Sequence, residues 1–191
     1  MIYLTFNVNI VFCLYSEVLM SGSGVEKFIN SVSFFDAFNE VEKHKFLSDQ
    51  TCFVKFKEND IVFKQGEQGD SLFLVLQGQV GLYRLGDIKS VEGRVSLKKE
   101  EEKHITNLKS GVVFGEVSML TNCKRNVTAR IFSKEVVLMK ISKKLIDSLN
   151  HLTQIKFHRQ LLLSLAIHLD NMNSQFVDLK YEHDEYVKSH S

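Results

Sequence analysis

Apolar residues recur along this chain at two different spacings, and the changes of spacing divide it. From Val25 to about Gln50, Phe28, Ile29, Val32, Phe35, Phe38 and Phe46 return at helical intervals, which predicts two short helices. From Cys52 the runs become strand-like: Phe53-Val54-Lys55-Phe56, Ile61-Val62-Phe63, Leu72-Phe73-Leu74-Val75-Leu76 and Val80-Gly81-Leu82-Tyr83. Polar turns divide them at 58–60, 66–70 and 77–79. A charged stretch at 98–103 tips a long hairpin whose second strand covers His104 to Leu108. Two more strands follow, Val127 to Phe132 and Glu135 to Ile141, by their β-branched content. Ser142 then caps a helix, and from there the sequence is helical to near the end of the chain.

Short strands with glycine turns at this pace predict a mainly β sandwich or small barrel with helices at either end. Along the last helix, Leu162, Leu165, Leu169, Met172, Phe176 and Leu179 alternate steps of three and four, the spacing of a coiled-coil seam. Pairing with the same helix of a second copy is the simplest use of that seam, with Leu161, Leu163 and Ile167 left for an intramolecular face. His158 and His183 continue the seam outward as polar interface positions.

Length and composition narrow the function. The 191 residues suit one domain plus an extension, and 44% apolar with 25% charged residues is ordinary for a soluble protein. A net charge of +1 gives no field for steering to nucleic acid. Cys13, Cys52 and Cys123 form no C-x-x-C pair, so neither a disulfide framework nor a zinc site is indicated, and a cytoplasmic setting is expected. Met1 to Ser16 carries no charge, but as a helix it reaches only about 24 Å against a core of roughly 30 Å, so no membrane span is expected. Met20 before Ser21-Gly22-Ser23-Gly24 is a candidate true start; residues 1–24 are otherwise a docked apolar arm with a flexible lead.

The chemistry concentrates between Phe114 and Arg130, which reads Phe-Gly-Glu-Val-Ser-Met-Leu-Thr-Asn-Cys-Lys-Arg-Asn-Val-Thr-Ala-Arg. A glycine admits close backbone approach to a phosphate, a first helical turn offers unpaired N–H donors, and a guanidinium grips two phosphate oxygens. Glu116, nine residues before Arg125, would be repelled by an anion, so its natural partner is a sugar hydroxyl. On this reading the charge of Arg125 is usefully paired only when phosphate is present.

This segment, together with Ile61-Val62-Phe63-Lys64-Gln65-Gly66-Glu67-Gln68-Gly69-Asp70-Ser71-Leu72-Phe73-Leu74-Val75-Leu76-Gln77-Gly78-Gln79-Val80, resembles the cyclic nucleotide-binding domain family. That family includes the catabolite activator proteins and the regulatory subunits of cAMP-dependent protein kinase. The match covers about Val25 to Leu179. It implies a double-stranded β-helix (jelly-roll) barrel with N-terminal helices and a hinged, long C-terminal helix. It also divides the chain into residues 25–150, the ligand-binding domain, and 151–191, the helix and polar tail.

Carried over by position, the resemblance implies a ligand-binding set of Phe114, Gly115, Glu116, Val117, Ser118, Arg125, Asn126 and Val127. Glu116 would accept the ribose 2′-OH, Arg125 would pair with the exocyclic phosphate oxygens, and Gly115 with nearby N–H groups would complete the cradle. The ligand would be cAMP or cGMP, with no cofactor, metal or catalytic residue. Gly66, Gly69 and Gly78 are read as turn and close-packing residues.

Ser118 stands where alanine is common in the family, Lys124 where proline often precedes the arginine, and Asn126 where a small residue is usual. Asn126 leaves the choice of base open. After the helix only Lys180 to Ser191 remain, too few for a helix-turn-helix, so output is expected to pass to a separate protein and not directly to nucleic acid. An alternative keeps the domain as a ligand-independent dimeric module in which Glu116 and Arg125 pair across a vestigial pocket. A metal-dependent enzyme on a cupin barrel is disfavoured, because the seven histidines include no H-x-H pair.

Overall fold

The computed structural model describes residues 29–30, 32–48, 52–85 and 102–190. The apolar segment and lead at 1–24 and most of the charged hairpin tip lie outside the described residues.

Among the described residues, eight strands form two four-stranded antiparallel sheets. They are β1 (Phe53–Lys57), β2 (Ile61–Phe63), β3 (Ser71–Gln77), β4 (Val80–Leu85), β5 (Glu102–Leu108), β6 (Val113–Phe114), β7 (Thr128–Ile131) and β8 (Glu135–Ser142). One sheet runs β1-β8-β3-β6 and the other β2-β7-β4-β5. In the first, Leu74 stands opposite both Met139 of β8 and Val113 of β6; in the second, Leu82 opposes Ala129 of β7 and Thr106 of β5.

The first sheet is covered on both faces, and its sequence says why. Along β3, Leu72, Leu74 and Leu76 enter a core shared with the helices, while Phe73 and Val75 enter the core between the sheets. β8 divides likewise, Met139 and Ile141 to one side, Val136 and Leu138 to the other. Unbroken apolar runs are what a strand buried on both faces requires.

The expected jelly-roll architecture is present with one correction: the sheets pack as a sandwich and are not closed into a barrel. β6 is two residues long and pairs only with β3, so the first sheet stops there instead of wrapping round to its neighbour.

The helices that flank the sandwich include α1 (Glu40–Leu47), α2 (Glu116–Thr121), α3 (Lys143–Ser148) and α4 (His151–Ser189) among the described residues. Before α1, a single 3-10 turn at Ser33–Phe35 carries the phenylalanines inward. Asn39 and Glu42 form a capping box at the start of α1. Phe34, Phe35, Phe38, Phe46 and Phe157 interlock with ring centroids 5.3 to 6.2 Å apart, and this cluster joins the N-terminal turns to α4.

Ser142 caps α3 as its sequence predicts, its hydroxyl accepting from the Leu145 N–H. The helical region after Ser142 is divided in two. Leu149 and Asn150 are extended, and the Asn150 side chain starts α4 afresh by accepting from the Thr153 N–H. Thr153, Phe157 and Leu161, four residues apart, are the buried positions of α4. From Leu169 to His190 every residue is exposed.

Candidate phosphate and ribose site

The candidate site forms where three pieces of chain meet: the β2–β3 loop, the start of α2 and the segment from Asn122 to Thr128. Two backbone bonds fasten the first to the last, Arg125 N–H to Glu67 O (2.7 Å) and Gly66 N–H to Arg125 O (2.8 Å). Gln68 and Lys124 bridge beside them.

Arg125 is 5% exposed and lies inside this junction. Its Nη1 donates to the Gly115 carbonyl and to the Ser118 Oγ, both at 2.6 Å, and its Nη2 donates to the Ser71 carbonyl at 2.7 Å. The guanidinium carbon sits 4.2 Å from the centroid of the Phe63 ring. On another side Gly69 approaches so closely that a Cβ there would stand 2.7 Å from the guanidinium carbon and 2.8 Å from Nε. Gly69 is therefore a close-packing residue against the arginine itself. Gly115, at φ +75°, holds the left-handed turn that starts α2 and aims its carbonyl at Nη1.

A guanidinium has five N–H donors. These three bonds use both hydrogens of Nη1 and one of Nη2, which leaves Nε–H and one Nη2–H. Nε is the buried side-chain polar atom without a partner among the described residues. An unpartnered charged donor in a dry site is costly, and an anion accepting from Nε and Nη2 together would satisfy it. The sequence predicted a guanidinium with no useful partner in the free protein. The structure gives it three, two of them backbone carbonyls, which no residue pattern announces.

Glu116 is 8% exposed at the first position of α2. Burial pushes its carboxyl above the usual range; its own backbone N–H, His168 of α4 and Arg125 pull the other way. Burial likewise lowers Arg125, opposed first by Asp70 and then by Glu116 and Glu67. No ion pair within 4.0 Å joins Glu116 to Arg125 among the described residues. With six residues, α2 contributes little helix field.

The other expected site residues are spread over different environments. Phe114 belongs to the inter-sheet core, its ring 5.4 Å from Phe73 and 5.9 Å from Phe63. Val117 and Asn126 are exposed, Val127 is half-buried against the core, and Ser118 is buried on Arg125. Sequence reasoning missed Phe63, Asp70, the Ser71 carbonyl and His168; the first three lie within the strand-turn-strand motif already recognised. A cleft of about 330 Å³ runs between α4 and the β5–β6 turn, lined by Phe34, Gly111, Ser164, Ile167 and His168 among others.

Comparison with known proteins identifies the family and agrees with the fold. The model of the cyclic nucleotide-binding domain matches residues 53–150, just over half of the chain. The chain belongs to that family, a regulatory ligand-binding fold whose kinase members are enzymes through separate catalytic domains. It is 30% identical over 137 residues to a cGMP-dependent protein kinase of Plasmodium berghei, covering 71% of this chain and 14% of the kinase. It is 25% identical over 109 residues to a cAMP-dependent protein kinase regulatory subunit of Blastocladiella emersonii, covering 57% of this chain and 24% of that protein. The fold is similar to a cyclic nucleotide-binding domain from Methylobacillus flagellatus, with a TM-score of 0.61 at 17% identity and 79% of each chain covered. The chain thus spans a small part of the curated relatives it matches. No helix among the described residues is long and apolar enough to cross a membrane.

Proposed function

We propose that this chain is a regulatory sensor of cAMP or cGMP that passes occupancy to a separate protein through α4. The observation that carries the reading is the edge of Arg125 left open by its internal bonds, Nε–H and one Nη2–H, in a buried cassette that also holds Glu116. A cyclic phosphodiester accepts from that edge with two oxygens, and the Glu116 carboxylate takes the ribose 2′-OH. Gly115 and adjacent N–H groups border the phosphate. Residues 25–150 form the sensing unit and 151–191 the output helix.

His168 of α4 is one of the groups that draw the Glu116 carboxyl down against its burial, which links the output helix electrostatically to the proposed ribose-binding acid. Ligand that engages Glu116 therefore has a means of favouring one packing of α4 over another. Leu162, Leu169, Met172, Phe176 and Leu179 are all at least 60% exposed along the seam, which supports pairing with a second copy. The exposed thiol of Cys123 suits a cytoplasmic setting. No catalytic role is assigned.

A second reading, a dimeric module that needs no ligand, draws on one observation: Arg125 already has three acceptors and is covered by Gly69. Titrating the protein with cAMP and cGMP separates the two. The sensor gains about 2.7 kcal/mol at a hundred times Kd, a rise of several degrees in Tm, and light scattering reports the oligomer with and without ligand. No shift with either nucleotide leaves the second reading standing.

A further inference from the structure

Ser118 departs from the alanine common at its position, and the structure gives its hydroxyl a definite set of bonds. Its oxygen accepts from Arg125 Nη1 at 2.6 Å, and its hydrogen is donated to the Gly115 carbonyl at 3.2 Å. That carbonyl accepts in turn from the same Nη1. Three groups thus close a ring of hydrogen bonds around one end of the guanidinium. Ser118 is 4% exposed, so bulk water is no substitute for these partners. A Cβ on Gly69 would fall 2.4 Å from the Ser118 Oγ, so the wall behind the hydroxyl is tight.

We propose that Ser118 is a positioning residue for anion recognition, fixing the rotation of Arg125 so that its Nε and Nη2 edge is presented to the phosphate of a bound nucleotide. Its one hydrogen is committed to Gly115, so the hydroxyl keeps no donor for a ligand and acts only through the arginine. The sequence pattern counted Ser118 among the ligand contacts; the bonding places it one step behind them. Without the hydroxyl, Nη1 keeps a single acceptor and the planar guanidinium gains freedom to turn as a unit about the Cδ–Nε and Cγ–Cδ bonds. Part of the binding free energy then goes into fixing it again. This inference rests on the cyclic nucleotide reading and names the residue that tunes it.

The test compares the parent with Ser118→Ala and Ser118→Cys. Alanine fits the available volume, while cysteine places a larger sulfur there that is a weaker acceptor than oxygen. In ligand-free protein the Arg125 Nε–H resonance is expected to be sharp in the parent, exchange-broadened in the alanine variant and intermediate in the cysteine variant. Affinity measured by calorimetric titration is expected to fall about tenfold in Ser118→Ala, equally for cAMP and cGMP because the effect passes through the shared phosphate. An unchanged Nε–H resonance, or an alanine variant that binds as tightly as the parent, overturns the proposal. If the parent binds neither nucleotide the functional reading falls, and the ligand-free resonance still decides whether Ser118 holds Arg125.

Discussion

Among the described residues two places bury charge, and they are finished to different degrees. At the junction of α1 and α4, the Glu42 carboxylate accepts from the Asn39 N–H (2.8 Å), from the Thr153 hydroxyl (3.1 Å) and from Lys156 Nζ with both oxygens (3.0 and 2.8 Å). Foremost the Lys156 bond holds that carboxyl below its ordinary value, against the cost of burial. In the cassette, burial dominates and holds the Glu116 carboxyl above its ordinary value, while Arg125 keeps a buried donor without a partner. A buried charge that is fully bonded welds elements together; one with unused capacity is suited to a ligand.

Removing the arginine should have the largest effect on that contrast. Arg125→Leu is expected to lower cyclic nucleotide affinity by about a thousandfold in a calorimetric titration, since two charge-assisted bonds are lost. The same variant should also cost the free protein about 2 kcal/mol in urea melts, because two carbonyls and the Ser118 hydroxyl lose their donor. A ligand-free variant as stable as the parent would show that the three internal bonds carry no weight.

Glu42→Ala tests the welded site. About 2 kcal/mol of stability should go, while nucleotide affinity stays within about twofold. An affinity change of tenfold would mean that the α1–α4 junction belongs to the signalling machinery, and the division drawn between the two sites would fail.

Glu116→Gln should do the reverse at a smaller scale: stabilise the free protein by about 1 kcal/mol while weakening nucleotide binding about tenfold. The pH dependence carries the same signs. Glu42, with its folded value depressed, contributes stability above the ordinary 4.5 that is lost as pH falls through the folded value. Glu116, with its folded value raised, imposes a cost at neutral pH that is relieved as pH falls through that value. The gain of Glu116→Gln over the parent should therefore shrink on acidification, starting above the pH at which the Glu42 contribution fades. A gap that stays constant with pH would show that Glu116 is not an ionised, buried acid in the free protein.

Much of the scaffold was legible because its signals are local. The β3 run from Leu72 to Leu76 names a strand, and Gly115-Glu116 with Arg125 names the cassette. Three things were not. The break at Leu149–Asn150 hides in a stretch whose apolar spacing reads as continuous helix, since an asparagine cap competes with helix continuation only through its own backbone geometry. Openness of the sandwich depends on how far β6 extends, which two apolar residues do not disclose. The state of Arg125 depends on carbonyls at Ser71 and Gly115, 54 and 10 positions away, and backbone acceptors have no letter in a sequence.

The fresh start at Asn150 has a mechanical corollary. α4 is 39 residues long, about 58 Å, and its buried anchors, Thr153, Phe157 and Leu161, all fall in its first third. With its buried anchors at one end among the described residues, a tilt of about 5° at the root would sweep the far tip through about 5 Å. A displacement near the cassette too small to disturb the packed phenylalanines would thus arrive magnified where a neighbouring molecule can feel it.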